Sequence, residues 1–203
     1  MAWKYAVSAG VLIAGMLGGL AYFILSDRGD ARFAQCRETA IAGALGGPFE
    51  LVDHTGRTLT DVELITRPTL IYFGYTFCPD VCPWDAARNA HVTDILAEQG
   101  FDAQPVFISI DPARDTPEVL ARFAGNLHPR MIGLTGSMEQ VRAASQAYRT
   151  YFRAHDATDE FYLVDHSTFS YLALPGHGVV EVYRRTQSAE EIAESMACFI
   201  EAS

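Results

Sequence analysis

The 203-residue sequence predicts an α/β domain. Its sheet is expected to be mostly parallel and covered on both faces, with an N-terminal β-hairpin and one N-terminal transmembrane helix. Three observations carry this. Short apolar runs alternate with helical patterns through the middle of the chain, the order that builds parallel sheets. A turn-separated pair of short runs opens the folded part. The stretch from Tyr5 to Leu25 contains no charged residue.

That first stretch is long enough to cross a hydrocarbon core of about 30 Å at 1.5 Å per residue. Trp3, Tyr5 and Tyr22 stand near its ends, where aromatic rings favour the membrane interface. Lys4 precedes it, and Asp27, Arg28, Asp30 and Arg32 follow. A cleaved signal peptide is the competing reading. The apolar run exceeds the usual signal core of about 7–15 residues, and no clear A-x-A site follows. The expected organisation is an anchor over 1–25, a connector over 26–46 and one folded domain over 47–203.

The folded part is read element by element. Pro48 to Asp53 alternates, His54-Thr55-Gly56 turns, and Arg57 to Thr60 returns as the second strand of a hairpin. Thr69 to Tyr75 is a continuous apolar run and reads as a buried central strand. A helix is expected from Pro83 to about Gln99, with Pro83 at its first position and Gly100 ending it. Pro105 to Ile110 is a second buried strand. Thr116 caps a helix that starts at Pro117 and runs to about Asn126. Met131 to Thr135 is a strand. Ser137 and Gln140 form a capping box for a helix to about Tyr151. Phe161–Val164, Thr168–Leu174 and Val179–Tyr183 read as strands, the last two joined by a turn at Pro175-Gly176-His177-Gly178. Ser188 and Glu191 cap a final helix.

The charge balance narrows the function. Twenty-five acids against fifteen bases give a net charge of −10. A protein that wraps nucleic acid needs a basic face. Lys4 is the only lysine, so no Schiff-base lysine lies in the folded part.

Four cysteines carry the chemistry. Cys36 and Cys198 lie at opposite ends of the part beyond the apolar run, and an even count permits a disulfide between them. Cys78 and Cys82 form a C-x-x-x-C pair between a central strand and a helix, where ligands bind in open α/β sheets. Each precedes a proline, which disfavours helical backbone, so both are expected in the loop. Cys82 would sit near the cap, where the helix N-terminus favours thiolate. Two such thiolates suit redox exchange or a soft metal, Cu(I) or Zn, with an imidazole completing a three-coordinate site. The candidate donors are His54, His91, His128, His155, His166 and His177. His166 stands out in Asp165-His166-Ser167, just past an apolar strand, with Asp165 or Ser167 available to orient its ring. Asp80, between the cysteines, is a nearby charge or part of a docking surface. Asp111, Arg114 and Asp115 offer an ion pair or helix cap near the loop. Tyr72, Phe73, Tyr75 and Phe77 are expected mostly in the core, with one or two shielding the site.

Taken together, these motifs resemble the SCO/SenC family. Tyr72 to Pro83 (YFGYTFCPDVCP), Ile110 to Pro117 (IDPARDTP) and Asp165-His166-Ser167 occur in the family's order, after an opening at Gly47 to Asp53. The resemblance covers about residues 46–200. It implies a thioredoxin-like fold, a single membrane anchor and copper bound by Cys78, Cys82 and His166, as Cu(I) and also Cu(II). It further implies assistance in assembling the CuA site on subunit II of cytochrome c oxidase, as copper donor, thiol reductant or both. A bacterial inner membrane, with the domain in the periplasm, is the expected location. Another periplasmic copper chaperone or thiol reductase would then be a further partner. A dedicated thiol-disulfide oxidoreductase, with Cys78 attacking and Cys82 resolving, and a copper or redox sensor remain open. A thioredoxin-fold peroxidase does not fit: its P-x-x-x-[TS]-x-x-C pattern would need proline and a hydroxyl where Ile71 and Tyr75 stand.

Overall fold

A computed structural model describes residues 15–19, 32–37, 45–155 and 161–203. The chain divides into two compact units, Met1–Gln35 and Cys36–Ser203. In the first, residues 15–19 are helical and exposed. The rest of the Tyr5–Leu25 run lies outside the described residues. Among the described residues, no helix is long and apolar enough to cross a membrane.

The second unit holds a seven-stranded sheet. β1 (Glu50–Asp53) and β2 (Thr58–Thr60) form the expected hairpin, with Glu50 opposite Thr60. A four-residue helix, α1 (Asp61–Leu64), follows directly. It is closed by a reciprocal box in which Thr60 and Glu63 each satisfy the other's backbone N–H. Then come β3 (Thr69–Gly74), α2 (Val81–Glu98), β4 (Gln104–Ser109), α3 (Pro117–Leu127), β5 (Ile132–Thr135) and α4 (Met138–Ala147). The chain ends with β6 (Phe152–Ala154), β7 (Val164–His166), β8 (Ser170–Leu174), β9 (Gly178–Tyr183) and α5 (Ala189–Ala202).

The spatial order is β2-β1-β5-β4-β3-β8-β9. β6 and β7 form a separate two-stranded ribbon. Only β3–β4 and β4–β5 pair in parallel, whereas β1–β5, β3–β8 and both hairpins are antiparallel. The sheet is therefore mixed, which corrects the mostly parallel expectation. Parallel neighbours need a crossover, and only α2 and α3 supply simple ones. Every residue of β3 and β4 is buried, as central strands covered on both faces require. α2 packs against α5, and α3 lies against β5.

Several elements depart from the sequence reading. The helix expected to reach Tyr151 stops at Ala147, because Arg149 takes a left-handed backbone (φ 49°). β6 is a three-residue strand that no periodicity could signal. Its length fixes which residues of 161–167 find a ladder, so the strand there is Val164–His166, not Phe161–Val164. His166 consequently lies within a strand, opposite Phe152, rather than beyond one.

Candidate metal centre

The centre forms where the first parallel crossover begins. β3 ends at Gly74, and the loop to α2 carries Cys78. A side chain at Gly74 would place its Cβ 3.0 Å from the Cys82 sulfur and 2.9 Å from the Tyr72 and Phe107 rings. Glycine is what lets this sulfur approach the strand end. The loop is pinned by Asp115, which is fully buried. Its carboxylate accepts from the Thr76 N–H (3.0 Å), the Thr76 hydroxyl and the Ser109 hydroxyl (2.6 Å). Asp115 is thus no helix cap; Thr116 caps α3 alone, accepting from the Val119 N–H. Burial raises the Asp115 carboxyl pKa, and the three donors oppose that rise. Asp115→Ala is expected to cost about 3 kcal/mol in urea unfolding, because it strands the buried Ser109 hydroxyl and the half-buried Thr76 N–H. Asp115→Asn, which keeps one acceptor, should cost about 1 kcal/mol. Equal losses would show that the acceptor geometry is immaterial.

Cys82 lies inside α2, which starts at Val81, so the expectation that both cysteines occupy the loop holds for Cys78 only. Pro83 is the third helical residue, not the first. It is tolerated there because first-turn N–H groups lack intrahelical partners in any case. The free Cys82 N–H donates instead to the Cys78 sulfur at 3.4 Å. Cys82 is fully buried, and burial pushes its thiol pKa well up. Desolvation outweighs the helix N-terminus here, which corrects the expected thiolate.

His166 enters from β7. Its Nε2 lies 3.2 Å from the Cys82 sulfur, and its Nδ1 is 2.9 Å from the Ser167 carbonyl oxygen. A carbonyl only accepts, so Nδ1 carries the proton and Nε2 presents its lone pair to the thiol. Burial lowers the His166 pKa, which keeps the ring neutral. Tyr72 and Tyr75 face the ring edge-on at 6.2 and 5.9 Å. The Tyr75 hydroxyl accepts from the Val164 N–H at 3.2 Å, tying β7 to the end of β3. The donor atoms of Cys78, Cys82 and His166 all lie within 4.8 Å of one another. One ion with bonds of about 2.0–2.3 Å bridges such a set once the longest separation closes by a few tenths of an ångström. No other group of this kind occurs among the described residues.

The remaining candidates fall elsewhere. Asp165 pairs with His155 at 2.8 Å on the opposite face of β7, since neighbouring strand residues point apart; Ser167, through its carbonyl, orients the ring. Asp80 is exposed, and its side chain caps nothing. His54 accepts from the Gly133 N–H, and His128 meets Asp94. His91 and His177 are exposed. Tyr72, Phe73 and Tyr75 are buried, whereas Phe77 is exposed. Cys36 and Cys198 are joined by a disulfide, and Cys78 and Cys82 are free thiols.

Two features escaped the sequence reading. Asp85 is buried behind the centre; it accepts from the Tyr72 hydroxyl (3.0 Å) and faces Arg88 and Arg185 at 3.6 and 3.7 Å. Its place three residues after Cys82, on the same helix face, was the available signal. The Tyr162 hydroxyl donates to Asp111, and Arg114 pairs with Asp111 while covering the Tyr162 ring at 3.6 Å. The ion pair was legible, but the tyrosine was not.

Residues 37–201 match the profile of the SCO1/SenC family. The chain belongs to that family. Protein SenC of Rhodobacter capsulatus is 48% identical over 199 residues, covering 97% of this chain and 90% of the relative. The human mitochondrial protein SCO2 homolog is 40% identical over 194 residues, 92% of this chain and 73% of its own. Among solved structures, Arabidopsis thaliana ScoI with copper bound aligns with a TM-score of 0.74 at 36% identity, covering 78% of this chain and 99% of that one. Bradyrhizobium japonicum ScoI with copper bound gives 0.69 at 34%, covering 76% and 98%. The mixed sheet described above is thus the thioredoxin-like fold of the SCO family.

Proposed function

We propose that this SCO1/SenC chain is a membrane-anchored copper chaperone that holds Cu(I) through Cys78, Cys82 and His166. It passes the ion, by ligand exchange, to the CuA site of cytochrome c oxidase subunit II. The observation that carries the reading is the convergence of two free thiols and a neutral imidazole within 4.8 Å. Two soft sulfurs and one nitrogen suit Cu(I) and leave Zn short of its usual fourth ligand. The copper-bound ScoI relatives support the cargo, and family membership supports the recipient. The uncharged Tyr5–Leu25 run supports the anchor. The disulfide favours an oxidising compartment, in keeping with a bacterial inner membrane and a periplasmic domain.

The test is an anaerobic Cu(I) titration of the reduced protein against a chromogenic chelator. One tight equivalent is expected. No competitive binding, with Cys78 and Cys82 still exchanging disulfides with a thiol substrate, would instead make the chain a reductase. The raised pKa of Cys82, the resolving sulfur in that reading, weighs against that outcome, because resolution needs its thiolate.

Two further results follow from the same geometry. Cys82 carries its proton at neutral pH, and an ion must displace it. The apparent Cu(I) affinity should therefore tighten by about tenfold per pH unit for each proton released, between about pH 7 and 8. The neutral His166 adds no proton. A flat profile would contradict the assignment of Cys82. His166→Ala should weaken Cu(I) binding by more than the factor of about 10–100 that changing a group next to a ligand costs, and remove the defined Cu(II) absorption spectrum. An unchanged Cu(II) spectrum would place the nitrogen donor elsewhere.

A further inference from the structure

The ligand sulfurs are buried, so an acceptor can take the ion only by seating against the rim of the centre. That rim has an unusual composition. Five aromatic rings are exposed among the described residues: Phe77, Trp84, Tyr151, Phe161 and Phe169. All five lie at the centre's own segments. Phe77 precedes Cys78 directly, Trp84 is two residues after Cys82 and Phe169 is three after His166. Phe161 stacks on Phe77 with centroids 6.0 Å apart. Tyr151 exchanges hydrogen bonds with Ser167, beside His166. The paired Phe77 and Phe161 rings, with Tyr151 tied to Ser167, make an exposed aromatic rim at the centre, the mark of an interaction surface rather than scattered surface apolarity.

The rim runs into a groove of about 940 Å³, lined by Tyr151, Tyr162, Val164 and three arginines, Arg114, Arg142 and Arg153. Among the described residues of its lining the one carboxylate, Asp111, already faces Arg114 and the Tyr162 hydroxyl. Arg114 joins the two regions, because it lies over Phe77 at 4.7 Å and over Tyr162 at 3.6 Å. The chain as a whole has a net charge of −10. The described lining of this groove beside the metal centre thus carries more arginine than carboxylate, against the net charge of the chain, and opposite potentials steer docking.

We infer that this face docks the copper-accepting protein, and that the acceptor presents acidic groups beside an apolar-rimmed set of soft ligands. The inference rests on the copper reading above and names its partner's surface. Aromatic contacts exclude water around the exchanging ligands, while the arginines set the acceptor's orientation.

The test uses the full chain in detergent, loaded with Cu(I), and the purified reduced CuA domain of subunit II as acceptor. A small chelator serves as the control acceptor. Phe161→Ser/Phe169→Ser and Arg142→Glu/Arg153→Glu should each slow transfer to the CuA domain by about tenfold or more. Equilibrium Cu(I) affinity and release to the chelator should stay within about twofold of the parent protein. Transfer by the parent should slow as salt rises from about 20 to about 300 mM. Both variants transferring at the parental rate would overturn the docking surface while leaving the copper site standing. A salt-independent rate would overturn the acidic acceptor. A parent chain that holds no Cu(I), or that keeps it in the presence of the CuA domain, would overturn the copper reading and this surface with it. Sedimentation velocity decides one rival occupant. A parental dimer abolished by the phenylalanine variant would assign the face to a second copy of the chain and overturn the inference.

Discussion

Replacing both free thiols with hydroxyls, Cys78→Ser/Cys82→Ser, is expected to abolish tight Cu(I) binding. The loss should exceed about a thousandfold, since altering groups merely next to ligands costs about 10–100-fold. A serine oxygen is a hard donor, and its proton leaves far less readily than a thiol's. His166 alone cannot hold a monovalent soft ion against a competing chelator. The fold should survive. Cys82 contributes packing at a fully buried position, so a polar isostere costs about 1–3 kcal/mol there, well short of unfolding a typical domain. Anaerobic competition titration, with circular dichroism of both proteins, checks the two halves together. A folded double variant that still competes for Cu(I) would remove the thiols from the site. The single variants should separate the two sulfurs. Cys82→Ser also removes the group facing His166 at 3.2 Å, so it should disturb the imidazole more than Cys78→Ser does.

How the site was readable in the sequence follows from where its information lies. The two cysteines are neighbours in the chain, between a run of buried β-residues and a helix, and their spacing is local. His166 is distant in sequence. It became legible through the resemblance of its motif to a known family and not through any periodicity, because only β7's pairing with a three-residue strand places it. The same short ribbon starts the strand three residues later than the apolar pattern predicts. The state of the Cys82 thiol was misread for a physical reason. Helix-terminus electrostatics can be inferred from a boundary, but desolvation depends on what covers the sulfur, and Gly74, Tyr72 and Phe107 crowd this position from elsewhere in the fold. Asp115 illustrates the same limit. Beside a Thr-Pro helix start it looked like a cap, whereas its partners are Thr76, on the cysteine loop, and Ser109. The sheet's direction was misjudged at its flanks, where no simple helical crossover is present to make parallel pairing obligatory.

Loss of the Cys36–Cys198 bridge should be the largest stability effect in the chain. The bridge joins residues 162 apart, and its ends lie at the two limits of the compact unit 36–203. Closing so long a loop restricts the unfolded chain by about 5 kcal/mol in the chain-entropy account, while removal of native bridges typically costs about 2–5 kcal/mol. For a unit of this size that is a fall in Tm of about 5–20 °C. Cys36→Ser/Cys198→Ser should show it by calorimetry without changing Cu(I) stoichiometry, because neither sulfur belongs to the metal-binding group. The magnitude separates two situations. If the stretch at Cys36 stays docked without the bridge, the native state is unchanged and the full entropic loss appears. If it undocks, the native state gains freedom of its own and Tm falls by less than about 5 °C, with fast amide exchange confined to residues near 36 and 198. A Tm unchanged within about 1 °C, with exchange unaltered at both ends, would show that the bridge contributes nothing to holding the unit together. The design has a consequence for the metal centre. In an oxidising compartment the bridged pair resists reduction, while Cys78 and Cys82 must be kept reduced by bound copper or by a reductant. One chain thus carries two cysteine pairs with opposite requirements, and burial of the Cys82 thiol slows the oxidation that would otherwise make them alike.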